Sequence, residues 1–92
     1  MLRIALCDDE EKQLNQAAAM LNTYLSSRPD LSGQVETFRS GIALLTRVED
    51  AGGFDLYVLD ILMPQLSGID TGHRLRALGD GGEIVYLTTS ND

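Results

Sequence analysis

The chain has 92 residues, a formal net charge of -7 and a hydrophobic content of 43%. The length suffices for one domain, and the hydrophobic content is that of a globular protein and excludes a wholly disordered chain. The negative charge argues against nucleic-acid binding, because basic side chains on phosphates supply most of that affinity. It favours partners that are cations or basic protein surfaces.

Other sequence features indicate the compartment. Cys7 is the only cysteine, so an internal disulfide is excluded and a reducing environment is indicated. No apolar run approaches the roughly 20 residues that a membrane helix needs. The N-terminus enters a strand pattern directly, without a signal peptide. We therefore expect a cytoplasmic domain that does not contact a membrane.

In the first half of the chain, short strand patterns alternate with a helical one. Residues 2–7 predict a strand buried on both faces, and residues 34–38 predict a half-exposed edge strand. Between them, residues 10–27 predict an amphipathic helix that has Asp9 at its N-cap or first turn and ends at Arg28-Pro29. The expected buried face of this helix is Leu14, Ala17, Ala18, Leu21, Tyr24 and Leu25.

The second half repeats the alternation. Ser40 predicts the cap of a short helix, residues 55–59 predict an apolar strand, and residues 83–87 predict a last strand. For the helix that Ser40 caps, the expected buried side is Ile42, Leu45 and Val48. For the helix that follows the Met63-Pro64 loop, the expected buried side is Ile69, Gly72, Leu75 and Leu78. Strands that alternate with helices at this spacing predict a parallel sheet with helices on both faces.

Acidic residues follow two of the predicted strands. Asp60 directly follows the residues 55–59 of the predicted strand and precedes a Met63-Pro64 loop. Residues 8–11 are all acidic and follow the first strand. If the two strands are neighbours in one parallel sheet, three carboxylates meet at one edge. Because like charges repel, such a cluster indicates a bound cation, a shared proton or a cationic side chain.

These motifs together resemble the receiver domain of two-component response regulators. The resemblance is carried by the acidic pair Asp8-Asp9 after strand one, Asp60 after strand three with Met63-Pro64 and Gly68 behind it, and Thr88 after strand four. Alone, acidic pairs are common helix caps, but here all four features occur in order along the whole chain. Residues 4–10, with the sequence IALCDDE, also resemble the regulators that carry a LytTR-type DNA-binding domain.

The resemblance implies a fold and a site. The fold is the flavodoxin-like doubly wound parallel sheet, with ligands bound at the carboxyl ends of strands one and three. Asp60 is then the phosphoacceptor, and Thr88 is the hydroxyl that senses the phosphoryl group. The implied cofactor is Mg²⁺, with Mn²⁺ as an alternative. Its implied ligands are Asp9, Asp60, Asp8 (mainly through water) and the backbone carbonyl of Leu62.

The chain departs from the family pattern at its C-terminal end. The family has a lysine after a fifth strand that contacts the phosphoryl group, whereas the only lysine here is Lys12 in the first helix. We therefore expect residues 1–92 to be the N-terminal part of one receiver domain, with strand order 2-1-3-4 and strand five missing. An open apolar edge at residues 83–87 then predicts a dimer through that strand, pairing of the strand with another chain, or a longer protein of which this chain is one part. Thr89, where the family has a small residue, predicts a narrower path to the site and slower phosphoryl transfer or hydrolysis.

The function that the resemblance implies is signal transduction. A sensor histidine kinase would phosphorylate Asp60 in a Mg²⁺-dependent reaction, and the resulting change of conformation would control a C-terminal output domain, expected to bind DNA. The receiver domain itself is expected neither to contact nucleic acid nor to be an enzyme in the usual sense. The main alternative is a pseudo-receiver, an interaction module that works without phosphorylation.

Two further classes fit the residues poorly. An aspartate-nucleophile phosphatase needs a second acid two residues after the nucleophile, and that position is Leu62. A flavodoxin needs a phosphate-binding loop after strand one, and the acidic residues 8–11 would repel phosphate.

Overall fold

The computed structural model describes residues 1–88, which form four strands and three helices in strict alternation. In chain order these are β1 (Leu2–Cys7), α1 (Glu11–Ser27), β2 (Gly33–Phe38), α2 (Gly41–Ala51), β3 (Leu56–Asp60), α3 (Gly68–Ala77) and β4 (Glu83–Leu87). All strand pairs are parallel, and the sheet order is β2-β1-β3-β4. The predicted flavodoxin-like fold and its 2-1-3-4 order are confirmed.

Helices cover the sheet on both faces. On one face, Ile4 and Leu6 of β1 pack with Leu14 of α1. On the other face, α2 and α3 cover a larger cluster of buried residues around Tyr57 and Leu59. The alternation of side chains along a strand produces these two cores from one sheet. The functional consequence is that the central strands β1 and β3 are held rigidly and end at the same edge.

The helices α2 and α3 bury faces that differ from the predicted ones. Ile42 is 53% exposed, Ile69 is 37% exposed and Leu78 is 47% exposed. The buried positions are Gly41, Leu44, Leu45 and Val48 in α2, and Gly68, Thr71, Gly72 and Leu75 in α3. Both sets have the i, i+3, i+4, i+7 spacing. The prediction is confirmed for Leu45, Val48, Gly72 and Leu75. It was wrong for Ile42, Ile69 and Leu78, because small residues such as Gly41 and Thr71 occupy the place where the two helices approach each other.

The helix ends are partly as predicted. Ser40 caps α2 by accepting a hydrogen bond from the Ala43 backbone amide at 3.1 Å, and α1 ends at Arg28. Asp9 was expected to cap α1 or to lie in its first turn, but the N-cap is Glu10 and the helix begins one residue later. Tyr24, expected on the buried face of α1, is 50% exposed.

The strand β4 forms one lateral edge of the described sheet. Its exposed apolar side chains are Val85, Tyr86 and Leu87. Leu87 also borders an apolar groove of about 440 Å³ beside Met20 and Tyr24 of α1. An apolar edge strand is a template for pairing with another chain, and the dimer through this strand stays a prediction. Within residues 1–88, no helix is long and apolar enough to cross a membrane.

Candidate functional site

Asp60 is the last residue of β3, an interior strand of the described sheet. Asp60 pairs in register with Leu87 of β4, and the amide of the next residue, Ile61, donates to the Leu87 carbonyl at 3.0 Å. The ladder therefore continues up to the point where the loop begins. Asp60 is only 3% exposed, and the backbone that carries its carboxylate is fixed by these hydrogen bonds at the carboxyl end of the sheet.

The loop after β3 folds back over Asp60 because Gly68 lacks a side chain. A Cβ atom at Gly68 would lie 2.1 Å from the Asp60 carbonyl oxygen. The Gly68 amide also donates to the Ile61 carbonyl at 2.9 Å. Ser67 then caps α3, accepting from the Asp70 amide at 3.1 Å. The start of α3 is thus packed directly on the backbone of the predicted phosphoacceptor.

The loop after β1 carries Asp8 and Asp9. The Asp8 amide donates to the Phe38 carbonyl of β2 at 3.1 Å, which extends the ladder past the end of β1. Its side chain accepts from the Glu10 amide at 2.9 Å. This turn, in which an aspartate side chain bonds the backbone two residues on, is typical of loops that leave a strand. The turn fixes the position of Asp8 at the carboxyl end of the sheet.

Arg39 is a residue of this region that sequence reasoning missed. Its Nε and Nη2 donate to the Asp9 carbonyl oxygen at 3.2 and 3.1 Å. A cationic side chain was among the explanations for an acidic cluster, but the sequence contains no motif that singles out Arg39. Its place directly after an edge strand was the one available signal, because such a residue lies beside the end of the neighbouring strand.

The structure brings the predicted acids together. One carboxylate oxygen each from Asp8, Asp9 and Asp60 lies within 4.8 Å of the others. Burial and the neighbouring carboxylates, Asp60 first among them, raise the pKa of Asp8, and its hydrogen bond from Glu10 opposes this shift. Three oxygen ligands in one corner fit a hard divalent cation such as Mg²⁺. The geometry of the cluster is therefore as the sequence predicted.

Cys7 lies directly beneath the cluster. Its thiol is buried and contacts the Met63 sulfur at 3.7 Å as a hydrogen-bond donor. Burial and then the charges of the three aspartates raise the pKa of Cys7 to about 12. The thiol is therefore protonated at neutral pH and packs as a small buried hydrophobic residue.

The remaining predicted site residues lie near the same edge. Thr88 directly follows β4, next to the strand that ends in Asp60, and it is exposed. Leu62 lies two residues after Asp60, and its side chain is 68% exposed. Their roles as hydroxyl switch and carbonyl ligand stay predictions. Thr89 falls outside the described residues.

Comparison with protein families decides the identity of the domain. Residues 4–92 match the sequence model of the response regulator receiver domain. The chain belongs to this family. It is thus a receiver domain of a two-component response regulator, and the predicted resemblance is confirmed. Comparison with curated proteins gives no significant match.

Solved receiver structures are similar over nearly the whole chain. The BeF₃-activated receiver domain of DrrB, from Thermotoga maritima, is 26% identical with a TM-score of 0.75, and the match covers 100% of this chain and 69% of that one. The response regulator TrrA of the same organism, in complex with Mg²⁺ and BeF, is 26% identical with a TM-score of 0.81, covering 99% and 72%.

A third structure contains a kinase. TrrA in complex with the histidine kinase ThkA is 26% identical to this chain, with a TM-score of 0.79, and the match covers 100% of this chain and 72% of that one. The TrrA structures thus contain Mg²⁺ in one case and a histidine kinase in the other, and both observations apply to TrrA.

Proposed function

We propose that this receiver domain accepts a phosphoryl group on Asp60 from a sensor histidine kinase in a Mg²⁺-dependent reaction. The observation that carries the proposal is the convergence of the Asp8, Asp9 and Asp60 carboxylates within 4.8 Å at the end of β1 and β3. The BeF and Mg²⁺ in the TrrA structure and the kinase in its complex support it by analogy. The proposal makes the chain a signalling module and not an enzyme in the usual sense.

The chemistry needs one nucleophilic oxygen held in a fixed direction. A carboxylate oxygen of Asp60 attacks the phosphorus of a phosphohistidine, so that a P–O bond forms while the P–N bond breaks. The electron pair of the broken bond returns to the imidazole, and the product is an acyl phosphate on Asp60. Phosphoryl transfer of this kind depends mostly on alignment and on neutralisation of charge. Backbone pairing of β3 with β4 supplies the alignment.

The acidic corner fits a magnesium ion. Asp9 and Asp60 would bind it directly, Asp8 mainly through water, and the Leu62 carbonyl would complete the protein ligands. When bound, Mg²⁺ neutralises negative charge on the phosphoryl oxygens. A cation between the aspartates would also reduce the repulsion that, after burial, raises the pKa of Asp8.

The response to phosphorylation would be read by Thr88. Its hydroxyl can donate to a phosphoryl oxygen that is absent before the reaction, which gives the phosphorylated state a contact that the resting state lacks. The resulting shift would control an output domain, with a LytTR-type DNA-binding domain as the specific prediction. We place this signalling in the cytoplasm, where histidine kinases present their phosphohistidine.

Labelling with a radioactive small acyl phosphate in the presence of Mg²⁺ tests the proposal. Wild-type protein should incorporate label, and Asp60→Asn should lose it because the nucleophilic oxygen is replaced by an amide. Asp55→Asn is the matched control, since Asp55 lies just before the other end of the same strand and its Oδ2 accepts from the Arg3 amide at 2.8 Å, as an asparagine oxygen also can. The control should label like wild type.

Two outcomes would contradict the proposal. Label that persists in Asp60→Asn would place the acceptor elsewhere. A folded wild-type protein that takes no label from either the acyl phosphate or a histidine kinase, and shows no NMR shifts near Asp9 and Asp60 with Mg²⁺ and BeF₃⁻, would favour the pseudo-receiver.

A further inference from the structure

Arg39 connects the edge strand to the acidic loop. It directly follows Phe38, the last residue of β2, and its guanidinium reaches the Asp9 carbonyl thirty residues earlier in the chain. Two of its N–H groups, Nε at 3.2 Å and Nη2 at 3.1 Å, donate to that one oxygen. A planar guanidinium held by two donors has a more restricted direction than an ammonium would have.

The backbone that carries Arg39 is itself well anchored. The next residue, Ser40, caps α2 through its hydroxyl. Gly41 then packs so closely on α3 that a Cβ atom there would lie 2.2 Å from the Thr71 hydroxyl oxygen. The start of α2 is therefore pressed against α3, and Arg39 projects from a fixed point.

The other ties of the acidic loop act on Asp8. Its amide bonds to Phe38 and its side chain bonds to the Glu10 amide. For Asp9, the side-chain hydrogen bonds recorded among residues 1–88 are the two from Arg39 to its carbonyl oxygen. Repulsion among three carboxylates within 4.8 Å would push the loop outward, so the tie at Asp9 opposes that movement.

We propose that Arg39 is a positioning residue that holds the Asp9 carbonyl and thereby keeps the Asp9 carboxylate directed at the cation site beside Asp60. The inference rests on the proposed function and deepens it by adding a residue of this chain outside the acidic cluster. Its nearest carboxylate partner recorded among residues 1–88 is Glu11 at 3.8 Å, with both side chains more than half exposed. Such an exposed pair contributes little, so the carbonyl contact is the part that matters.

Geometry and charge make opposite predictions for this residue. If Arg39 acts only through its positive charge, its removal strengthens the binding of a cation, because the site becomes more negative. If it positions Asp9, its removal weakens cation binding, because one ligand is no longer directed at the site. Substitutions that separate charge from donor geometry therefore decide between the two roles.

The experiment measures Mg²⁺ affinity by NMR titration, together with amide hydrogen exchange of residues 8–10 in the metal-free protein. Arg39→Gln should bind Mg²⁺ about tenfold more weakly, as for residues that orient metal ligands. Arg39→Lys keeps the charge but loses the planar guanidinium with its two N–H donors, and it should bind Mg²⁺ about threefold more weakly. In both variants the amides of residues 8–10 should exchange faster than in wild type.

Two control variants accompany the titration. Arg28→Gln makes the same charge change in an exposed arginine at the C-terminal end of α1, where it pairs with Asp30. Glu11→Gln removes the ion pair with Arg39 and leaves the carbonyl contact. Both should bind Mg²⁺ like wild type, and neither should alter exchange in residues 8–10.

Each outcome has a definite meaning. Tighter Mg²⁺ binding by Arg39→Gln with unchanged exchange would overturn the positioning role in favour of a charge effect, and unchanged affinity and exchange would overturn it outright. If wild type itself binds no Mg²⁺, the proposed function fails, and the exchange data alone still decide whether Arg39 holds the loop.

Discussion

The two ends of the sheet place polar groups in contrasting ways. At the carboxyl end, Asp8, Asp9 and Asp60 are brought together although they carry charge of the same sign. At the amino end, the buried hydroxyl of Tyr57 donates to the carboxylate of Asp80 and accepts from the Phe54 amide at 2.9 Å. There, donors and acceptors match.

The network at the amino end extends through the loop before β4. Asp80 also accepts from the Gly82 amide at 2.8 Å. Arg76 donates to the backbone carbonyls of Asp80 at 2.8 Å and Gly82 at 2.7 Å. A Cβ atom at Gly82 would lie 2.3 Å from the Phe54 carbonyl oxygen. The loop is therefore closed by hydrogen bonds and tight packing, as expected of a region that stabilises the fold.

This contrast favours a stabilising role for the amino end of the sheet and a binding role for the carboxyl end. Burial and then the neighbouring like charges raise the pKa of Asp8, so the ionised site is less favourable than separated, solvated acids would be. A protein can keep such an arrangement at a functional site when the rest of the fold is stable enough. The three changes below test whether the two ends differ as this comparison requires.

The largest effect is expected for Gly68→Ala at the carboxyl end. Its Cβ would lie 2.1 Å from the Asp60 carbonyl oxygen, a backbone atom that cannot move aside without shifting β3 or α3. We expect a loss of about 3 kcal/mol or more in the free energy of unfolding, measured by urea denaturation. Mg²⁺ affinity should fall with it, because Asp60 moves.

Gly81→Ala is the matched control for this change. A Cβ atom at Gly81 meets nothing within 4 Å, so the substitution should change stability by no more than about 0.5 kcal/mol. Equal effects of the two alanines would show that the close approach of α3 to Asp60 is not what Gly68 provides.

Tyr57→Phe at the amino end should give the next largest effect. It leaves the Asp80 carboxylate and the Phe54 amide without their shared partner, so we expect a loss of about 1–3 kcal/mol at pH 8. Mg²⁺ affinity should stay unchanged, since the site lies at the other end of the sheet. Tyr24→Phe, at a tyrosine that is 50% exposed, should cost no more than about 0.5 kcal/mol.

The same variant predicts a pH dependence. Burial and the hydrogen bond to Asp80 raise the pKa of Tyr57 to about 12, above the unfolded value of about 10. The raised pKa contributes stability that is fully present below about pH 10 and is lost as the pH rises through about 12. The stability difference between wild type and Tyr57→Phe should therefore narrow above pH 10. A constant difference would contradict the hydrogen-bonded role of the hydroxyl.

Much of this fold could be predicted from the sequence because its signals are local. Apolar runs of five or six residues produced β1, β3 and β4 within about a residue of their bounds, and Ser40 marked the start of α2. The buried faces of α2 and α3 could not be read in the same way. They depend on Gly41 lying against Thr71, a contact between two helices that hydropathy along one helix does not encode.

The candidate site also contains residues that local sequence signals predict and residues that depend on contacts between distant parts of the chain. The acids could be predicted because each lies at the carboxyl end of a strand or just after it, and parallel strands bring their carboxyl ends to one edge of the sheet. Arg39 could not, because its contact with Asp9 depends on the direction of a long side chain, which the predicted strand order does not determine. The matched network of Tyr57 and Asp80 likewise joins residues that are far apart in the chain.

The smallest effect, and the one of opposite sign, is expected for Asp8→Asn. An asparagine oxygen can still accept from the Glu10 amide, while one of the like charges disappears. Because the pKa of Asp8 is raised in the folded state, its ionisation costs stability, and this cost appears as the pH rises above the unfolded pKa of about 3.9. Without Mg²⁺, the variant should therefore melt a few degrees above wild type at pH 7. Below pH 4 the two proteins should melt at the same temperature.

Mg²⁺ should reverse the order of the melting temperatures of wild type and Asp8→Asn, because it stabilises the wild-type site more than the variant site. Asp70→Asn is the control, since it makes the same change of net charge in the first turn of α3. An acid there is favoured by the helix dipole, so its loss should lower the melting temperature slightly. If both asparagine variants melt higher than wild type, relief of overall negative charge explains the result. The comparison between the two ends of the sheet would then lose its electrostatic basis.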